Sequence, residues 1–494
     1  MTGWRGFVQG LHNRKGLRLL EGVRHNGHLL FGPGKPAWLA QAMNTSFFGE
    51  LLQSIAERGR ALVARNRRAP PRAASESLID CCEALLSGRG EASGAALATD
   101  ILQQYSELTI GPRIAFFEAL AERFGPNRKR LETAIAAWKT NPTDAAASEI
   151  HFSSEPRRLE LFRRLNLAPG GTAALVRMRE QLLDTLDRRS ELMPVNSDFV
   201  HLFTSWFNRG FLVLRRIDWS TPAAILEKII RYEAVHKINS WDDLRSRIDP
   251  PDRFCFAFFH PALVDEPLIF VEVAMTSDIP DAIAPILAPG RIATDPDKAT
   301  TAVFYSISNC QRGLAGVSFG HFLIKQVVEE MSRESDRLST YVTLSPAPDF
   351  AKWLARERRI ESSRALNDAD RAALAVLDQP QWWQSAGTRA AVQEPLLRAA
   401  AWYFLQARTV RGTPPDSVAR FHLGNGARLE RLNFLGDTSD KGLSQSHGLM
   451  VNYRYDIDDI EKNHEAYAEG HTVIASSAIK RLIPKTGSEL VKAG

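Results

Sequence analysis

The chain has 494 residues, 44% hydrophobic and 24% charged, which is the balance of a folded globular protein and excludes a disordered chain, a collagen or a small disulfide scaffold. Its formal net charge is +5. Over this length that is a weak field, which suits a phosphorylated or carboxylated small molecule at least as well as nucleic acid, and no nucleic-acid partner is expected. Four cysteines, Cys81, Cys82, Cys255 and Cys310, form no C-x-x-C pair and are expected as reduced thiols of a cytoplasmic protein. Residues 1–20 are basic but lack the apolar core of a signal peptide. No run approaches the roughly 20 apolar residues that span a bilayer, so no membrane partner is expected.

From about residue 36 to 189 the apolar residues recur three and four apart. Leu51, Leu52, Ile55, Leu62 and Val63 form one stripe, and Leu78, Ile79, Cys82, Leu85 and Leu86 another. Leu97, Ile101, Leu102 and Tyr105 follow, then Ile114, Phe117, Leu120 and Phe124. Leu159, Phe162 and Leu165, then Leu175, Met178, Leu182 and Leu186, complete the series. Such spacing predicts amphipathic helices packed as a bundle, punctuated by Gly125-Pro126-Asn127 and Pro169-Gly170-Gly171. The Arg-rich tract 58–72 reads as a solvated helix end and loop.

After Met193-Pro194 the texture changes. Residues 254–259 and 267–273 are short apolar runs joined by an acidic turn at Asp265, which predicts a hairpin of buried strands. Residues 301–308 form a third strand, a glycine-rich turn and helix follow, and residues 340–345 form a fourth strand stopped by Pro346 and Pro348. Strand, turn, helix, strand within about 45 residues is a β-α-β unit with parallel strands. Helices return from 365 to 407 and include Trp382-Trp383. Residues 421–434 read as a strand and 473–483 as a closing helix. The fold class is therefore α+β, with an all-α domain over 1–190 and a mixed α/β domain over 191–494.

The turn from Gln311 to Gly320 lies between strand and helix. Small residues there let successive N–H groups face one space, and the helix amino end adds partial positive charge. Neither the Walker nor the G-x-G-x-x-G pattern is present, and purely structural glycines remain an alternative. Polar groups collect elsewhere at strand ends. Ser306 and Ser308 share one strand face, Ser345 ends the next strand, His422 sits among apolar residues, and Tyr453 and Tyr455 straddle Arg454. Spacing alone leaves backbone bonding or packing open for each. No G-x-S-x-G elbow is present. There is no H-E-x-x-H, and His25 and His28 lack further ligands nearby, so no metal is expected.

Several motifs occur in an order that resembles the malonyl-CoA decarboxylase family. They are Tyr305-Ser-Ile-Ser308, Gly313-Leu-Ala-Gly-Val317, Phe322-Leu-Ile-Lys325, Leu344-Ser-Pro346, Phe421-His-Leu423 and Gly448-Leu-Met-Val-Asn-Tyr-Arg-Tyr455. Ser205-Trp-Phe-Asn-Arg-Gly-Phe-Leu212, Tyr232-Glu-Ala-Val-His236, Ala257-Phe-Phe-His-Pro261 and Leu268-Ile-Phe-Val-Glu-Val273 are similar to it as well. The resemblance is dense from about residue 195 onward and over the helical half is one of layout.

It implies a helical domain used in homo-oligomer assembly, as a dimer or tetramer, and a catalytic domain of the acetyltransferase (GNAT) fold. In that fold two parallel strands, here 301–308 and 340–345, splay around the pantetheine arm. The turn residues Ala315, Gly316, Val317, Ser318, Phe319, Gly320 and His321 would hold the pyrophosphate. Ser345 and His422 match the family's catalytic serine and histidine, and Ser306 and Tyr455 match residues that shape the site. Relatives carry a glutamate where this chain has Ser318, so no carboxylate role is carried over there. The activity implied is decarboxylation of malonyl-CoA to acetyl-CoA and CO2 through a thioester enolate protonated by a general acid. No cofactor beyond the substrate's own CoA is expected. An acyltransferase using the same CoA cradle and a non-catalytic acyl-CoA sensor are the alternatives.

Overall fold

The computed structural model describes residues 74–87, 91–317 and 323–483. The stripe at 51–63, the Arg-rich tract 58–72, His25 and His28 lie outside these residues, as do Ser318, Phe319, Gly320 and His321. Among the described residues eight α-helices precede the first strand. They are α1 (Ala74–Leu86), α2 (Glu91–Ser106), α3 (Ile110–Glu122), α4 (Arg128–Thr140), α5 (Asp144–Ser154), α6 (Arg157–Leu165), α7 (Gly171–Leu186) and α8 (Met193–Trp206). Their starts are set locally: the side chains of Asn127 and Thr143 accept the N–H of Arg130 and Ala146, groups the helix leaves without a partner. Leu78, Leu97, Ile101, Phe117, Leu120, Phe162, Leu175 and Leu182 are all buried, as the 3.6-residue periodicity predicts.

The sheet has eight strands: β1 (Val213–Ile217), β2 (Arg253–Phe259), β3 (Pro267–Thr276), β4 (Thr301–Asn309), β5 (Thr340–Thr343), β6 (Ser345–Pro346), β7 (Arg428–Asn433) and β8 (Met450–Tyr455). Helices α9 (Ala223–Tyr232) and α10 (Trp241–Ile248) link β1 to β2, and a short α11 (Ala284–Leu287) follows β3. The strand order is β1-β2-β3-β4-β5-β8-β6, with β7 also on β8. β2 and β3 form the expected hairpin. β4 and β5 are parallel, joined through α12 (Leu323–Glu334). Their ladder ends where Leu344 N donates to Phe304 O at 3.0 Å. Beyond that point β4 stays on β3, whereas the chain after β5 turns away and pairs with β8 at Ser345↔Val451. Two neighbouring parallel strands that part in this way are the acetyltransferase-like arrangement the resemblance implies.

Between β6 and β7 lie α13 (Phe350–Glu357), α14 (Asp368–Leu374), α15 (Ala386–Leu405) and α16 (Ser417–Gly424). Then come α17 (Asp440–Ser446) before β8, and α18 (Ile460–Gly470) and α19 (Ser477–Leu482) after it. Three sequence expectations change here. The segment 421–434 is half helix: Asp416 caps α16 by accepting the Ala419 N–H at 2.8 Å, so His422 stands on a helix and only Arg428–Asn433 is strand. Trp382 and Trp383 sit in a 3₁₀ turn. The closing helix is confined to Ser477–Leu482, because Ala475 bridges to Leu429 first.

One apolar cluster runs from Leu78 and Phe117 through Leu175 and Val176 to Phe304, Leu314 and Val451, so the helical region and the sheet share a core. The link between α16 and β7 tolerates no side chain at Gly426. Its φ is +82°, and a Cβ there would meet Ile460 O at 2.1 Å. Gly426→Ala combines backbone strain with overpacking. It should lower the unfolding free energy by about 3 kcal/mol, read as a drop in the urea midpoint at unchanged m-value.

Candidate active site

Where β4 and β6 part, a cavity of about 230 Å³ opens, lined by Val235, Phe304, Tyr305, Ile307, Asn309, Ser345, Pro346, Ser417, Val418, Phe421 and His422. Ser345 reaches it from the first residue of β6, and His422 from the last turn of α16. Although they are 77 residues apart, the Ser345 hydroxyl and His422 Nε2 are 3.0 Å from each other. The other ring nitrogen, Nδ1, lies 2.8 Å from the Tyr455 hydroxyl at the end of β8. Tyr453 stacks on the imidazole at 4.6 Å. Two bonds and one stacking face leave the ring no freedom to turn.

The hydrogen bonds also set its tautomer. Among the described residues His422 is the sole partner of the Tyr455 hydroxyl, so that O–H donates to Nδ1 and the ring carries its hydrogen on Nε2, directed at Ser345. The Ser345 hydroxyl donates in turn to Thr343 Oγ1 at 2.9 Å. Thr343 Oγ1 also accepts the Tyr453 N–H at 3.2 Å, and Asn452 Nδ2 donates to the Thr343 carbonyl at 2.8 Å. Burial pushes the His422 pKa down to about 3, so the imidazole is neutral. Desolvation likewise holds the Tyr455 phenol protonated, well above its ordinary range.

Ser306 lies on the same wedge but takes a different partner. Its hydroxyl donates to both carboxylate oxygens of Glu233, at 2.9 and 2.7 Å. Ser308 donates to the same carboxylate at 3.2 Å, and the N–H groups of Val235 and His236 bond it at 2.8 and 2.7 Å. One buried carboxylate thus fastens the loop after α9, including the cavity-lining Val235, to the open stretch of β4. Opposite Ser306 in the β3 register is the fully buried Glu272, bonded by Arg247 at 3.2 Å. Desolvation first, and then Glu233, push its pKa up to about 8.

A larger cleft of about 870 Å³ adjoins this cavity, with Asn309 and Phe421 common to both walls. It is lined by the turn residues Leu314, Ala315, Gly316 and Val317 and by Arg312, Arg420, His464 and Tyr467 among others. Arg420 donates to the carbonyls of Pro414 and Pro415 at 2.9 and 2.7 Å, and no carboxylate pairs with it among the described residues. Among the described residues no cluster of His, Cys, Asp and Glu has the geometry of a metal site.

Residues 124–207 match the malonyl-CoA decarboxylase N-terminal domain and residues 210–493 the malonyl-CoA decarboxylase C-terminal domain. The crystal structure of malonyl-CoA decarboxylase from Rhodopseudomonas palustris is 58% identical with a TM-score of 0.81, covering 83% of this chain and 100% of that one. The structure from Agrobacterium vitis is 55% identical with a TM-score of 0.79 over the same shares. Mitochondrial malonyl-CoA decarboxylase of Anser anser anser is 36% identical over 77% of this chain and 82% of the relative.

The chain belongs to the malonyl-CoA decarboxylase family.

Of the site residues read from the sequence, Ser345, His422 and Tyr455 meet in one hydrogen-bonded chain, Ser306 stands on the same wedge facing Glu233, and Ala315, Gly316 and Val317 line the adjoining cleft. Sequence reasoning missed Glu233 and Thr343. Glu233 stands inside the family motif Tyr232-Glu-Ala-Val-His236, but 73 residues separate it from Ser306, so no local spacing marks it. Thr343 is two residues from Ser345 and on the same strand face, a signal that was available.

Burial also holds His236 and His447 down, each to about 4. Free histidines of the unfolded chain take up protons near pH 6.5. Between about pH 6.5 and 4 the unfolded state therefore binds more protons, and these three groups make the fold lose stability as pH falls through that window. Replacing His422 by Asn should remove about one proton from the slope of stability against pH there. Urea titrations at several pH values read it, and an unchanged slope would mean that the ring protonates in the folded state.

Proposed function

We propose that this chain decarboxylates malonyl-CoA to acetyl-CoA and CO2, with the nucleotide in the larger cleft and the malonyl thioester in the wedge between β4 and β6. The observation that carries this reading is the Tyr455–His422–Ser345 chain, which delivers an N–H and a hydroxyl to the point where the strands part. The substrate supplies its own electron sink. As the C–C bond breaks, its electron pair forms the enolate double bond and the carbonyl π pair moves to the thioester oxygen. With substrate bound, the Ser345 hydroxyl turns from Thr343 to the malonyl group and donates to the charge that develops on it, an interaction commonly worth about 3–4 kcal/mol in a dry preorganised site. The apolar walls from Phe304, Ile307, Pro346, Val418 and Phe421 favour neutral CO2 over the carboxylate.

The α-carbon then takes the Nε2 hydrogen of His422. A neutral imidazole is a weak acid but a thioester enolate is a far stronger base, so the transfer runs downhill. The Tyr455 hydroxyl stabilises the imidazolate at Nδ1 until solvent returns the proton. Ser306, fixed by Glu233, shapes the opposite wall. Arg420 supplies positive charge along the cleft, where Arg312 is already paired with Asp184, and the chemistry uses no cofactor beyond the substrate's CoA.

Two further readings complete the proposal. The helical region assembles a homo-oligomer, dimer or tetramer, supported by the exposed apolar side chains Ile110, Trp138, Phe152 and Leu167; a light-scattering mass of two or four chains is expected, and one chain would refute it. The protein works in the cytoplasm, supported by the buried thiols Cys82, Cys255 and Cys310, which form no disulfide; among the described residues no helix is long and apolar enough to cross a membrane.

Incubation with malonyl-CoA alone should yield acetyl-CoA and CO2 in equal amounts with no acceptor present. Acyl transfer that requires an amine, or binding without CO2 release, would sink the proposal. His422→Asn and Ser345→Ala should each lower kcat about 10²–10⁴-fold with small changes in KM. Near-native turnover in the His422 variant would remove the ring as the acid.

A further inference from the structure

The cleft wall depends on a residue that belongs to neither the sheet nor the turn. Arg179, on α7 of the helical region, is 2% exposed. Its Nη1 donates to Gly313 O at 2.7 Å, Nη2 to Ala315 O at 2.7 Å, and Nε to Asn196 Oδ1 at 3.0 Å. No carboxylate pairs with it among the described residues. Burial pushes its pKa down only to about 10, so the guanidinium stays charged. The turn is pressed against the same helix: a Cβ on Gly313 would meet Val176 O at 2.0 Å.

The turn Leu314 to Val317 closes with Val317 N donating to Leu314 O at 3.0 Å. Ala315 has φ −55° and ψ 131°, and Gly316 has φ +76°. These are the angles of a type II turn, whose central peptide is flipped relative to type I. Because that peptide is trans and planar, its carbonyl and its N–H point in opposite directions. The Ala315 carbonyl points back at Arg179, which does not line the cleft. The Gly316 N–H therefore points the other way, on the side where Ala315, Gly316 and Val317 form the cleft wall. Among the described residues no backbone acceptor takes that N–H.

We propose that Arg179 is a positioning residue for the substrate's diphosphate: it holds the 315–316 peptide so that the Gly316 N–H faces the cleft, and sets a fixed positive charge behind it. Backbone donors held in place bind an anion without reorganising when it arrives. The helical region is then part of the substrate site. This rests on the reading that the cleft takes the CoA nucleotide.

Steady-state kinetics with malonyl-CoA and with malonyl-pantetheine, which has the thioester but no diphosphate, test it on the full chain. Arg179→Met should raise KM for malonyl-CoA about tenfold, keep kcat within about twofold, and leave kcat/KM for malonyl-pantetheine unchanged. Arg179→Lys, which reaches one carbonyl, should fall between. Asn196→Ala, which frees the guanidinium to turn, should shift the same ratio about threefold. An equal loss on both substrates would make Arg179 merely structural and overturn the proposal, as would an unchanged KM for malonyl-CoA. If Arg179→Met does not fold, Asn196→Ala decides on the same ratio. Should the wild-type chain release no CO2, calorimetric binding of CoA itself still judges the inference: about tenfold weaker binding by Arg179→Met supports it, and equal binding overturns it.

Discussion

The site exists because two parallel strands stop bonding each other. After Phe304 and Thr343 the ladder between β4 and β5 could continue only if residues 344–346 stayed beside β4. Instead β8 draws them away: Asn452, fully buried, donates to the Thr343 carbonyl, and the Tyr453 N–H bonds the Thr343 hydroxyl. These bonds, with the pairing of Ser345 and Pro346 onto β8, give the departing segment new backbone partners, which is the condition for opening a sheet in its interior. Ser345 and the part of β4 beyond Phe304 then face a gap in place of a neighbouring backbone. Ser345, His422 and Tyr455 are all placed relative to that gap.

What enters the gap is set by burial as much as by position. His422 is brought to it by a helix end and held by a phenol on one side and a serine on the other, with an aromatic face beneath. Removing water from the ring keeps it uncharged, and the direction of the Tyr455 hydroxyl decides which nitrogen holds the hydrogen. On the opposite wall the Glu233 carboxylate collects four donors in place of a cation, and so fixes both strand serines and the loop carrying Val235.

Much of this was legible in the sequence. The three-and-four spacing of Leu175, Met178 and Leu182 marks a helix and its buried face, and the runs at 254–259 and 267–273 mark the hairpin. Ser345, His422 and Tyr455 were readable through ordered motifs, since spacing alone left each open to a structural role. The failures have physical causes. Residues 421–434 are apolar enough for a strand, but Asp416 following Pro414-Pro415 starts a helix, a capping signal outweighed by the hydrophobic run. Arg179 lies among many arginines of the helical half, and nothing within four residues distinguishes the one that crosses to the turn. Long-range polar contacts of this kind are invisible to periodicity.

Asn309 and Phe421 belong to both the larger cleft and the smaller cavity. Asn309 ends a central strand and Phe421 immediately precedes His422 on its helix, so this threshold is built from the same rigid pieces that carry the imidazole. With the nucleotide and the acid placed as proposed, the span between them behaves as a ruler. On that placement a thioester on an arm of another length would clip in at one end and miss at the other, and selectivity for the carrier would follow from reach before any atom of the acyl group is inspected.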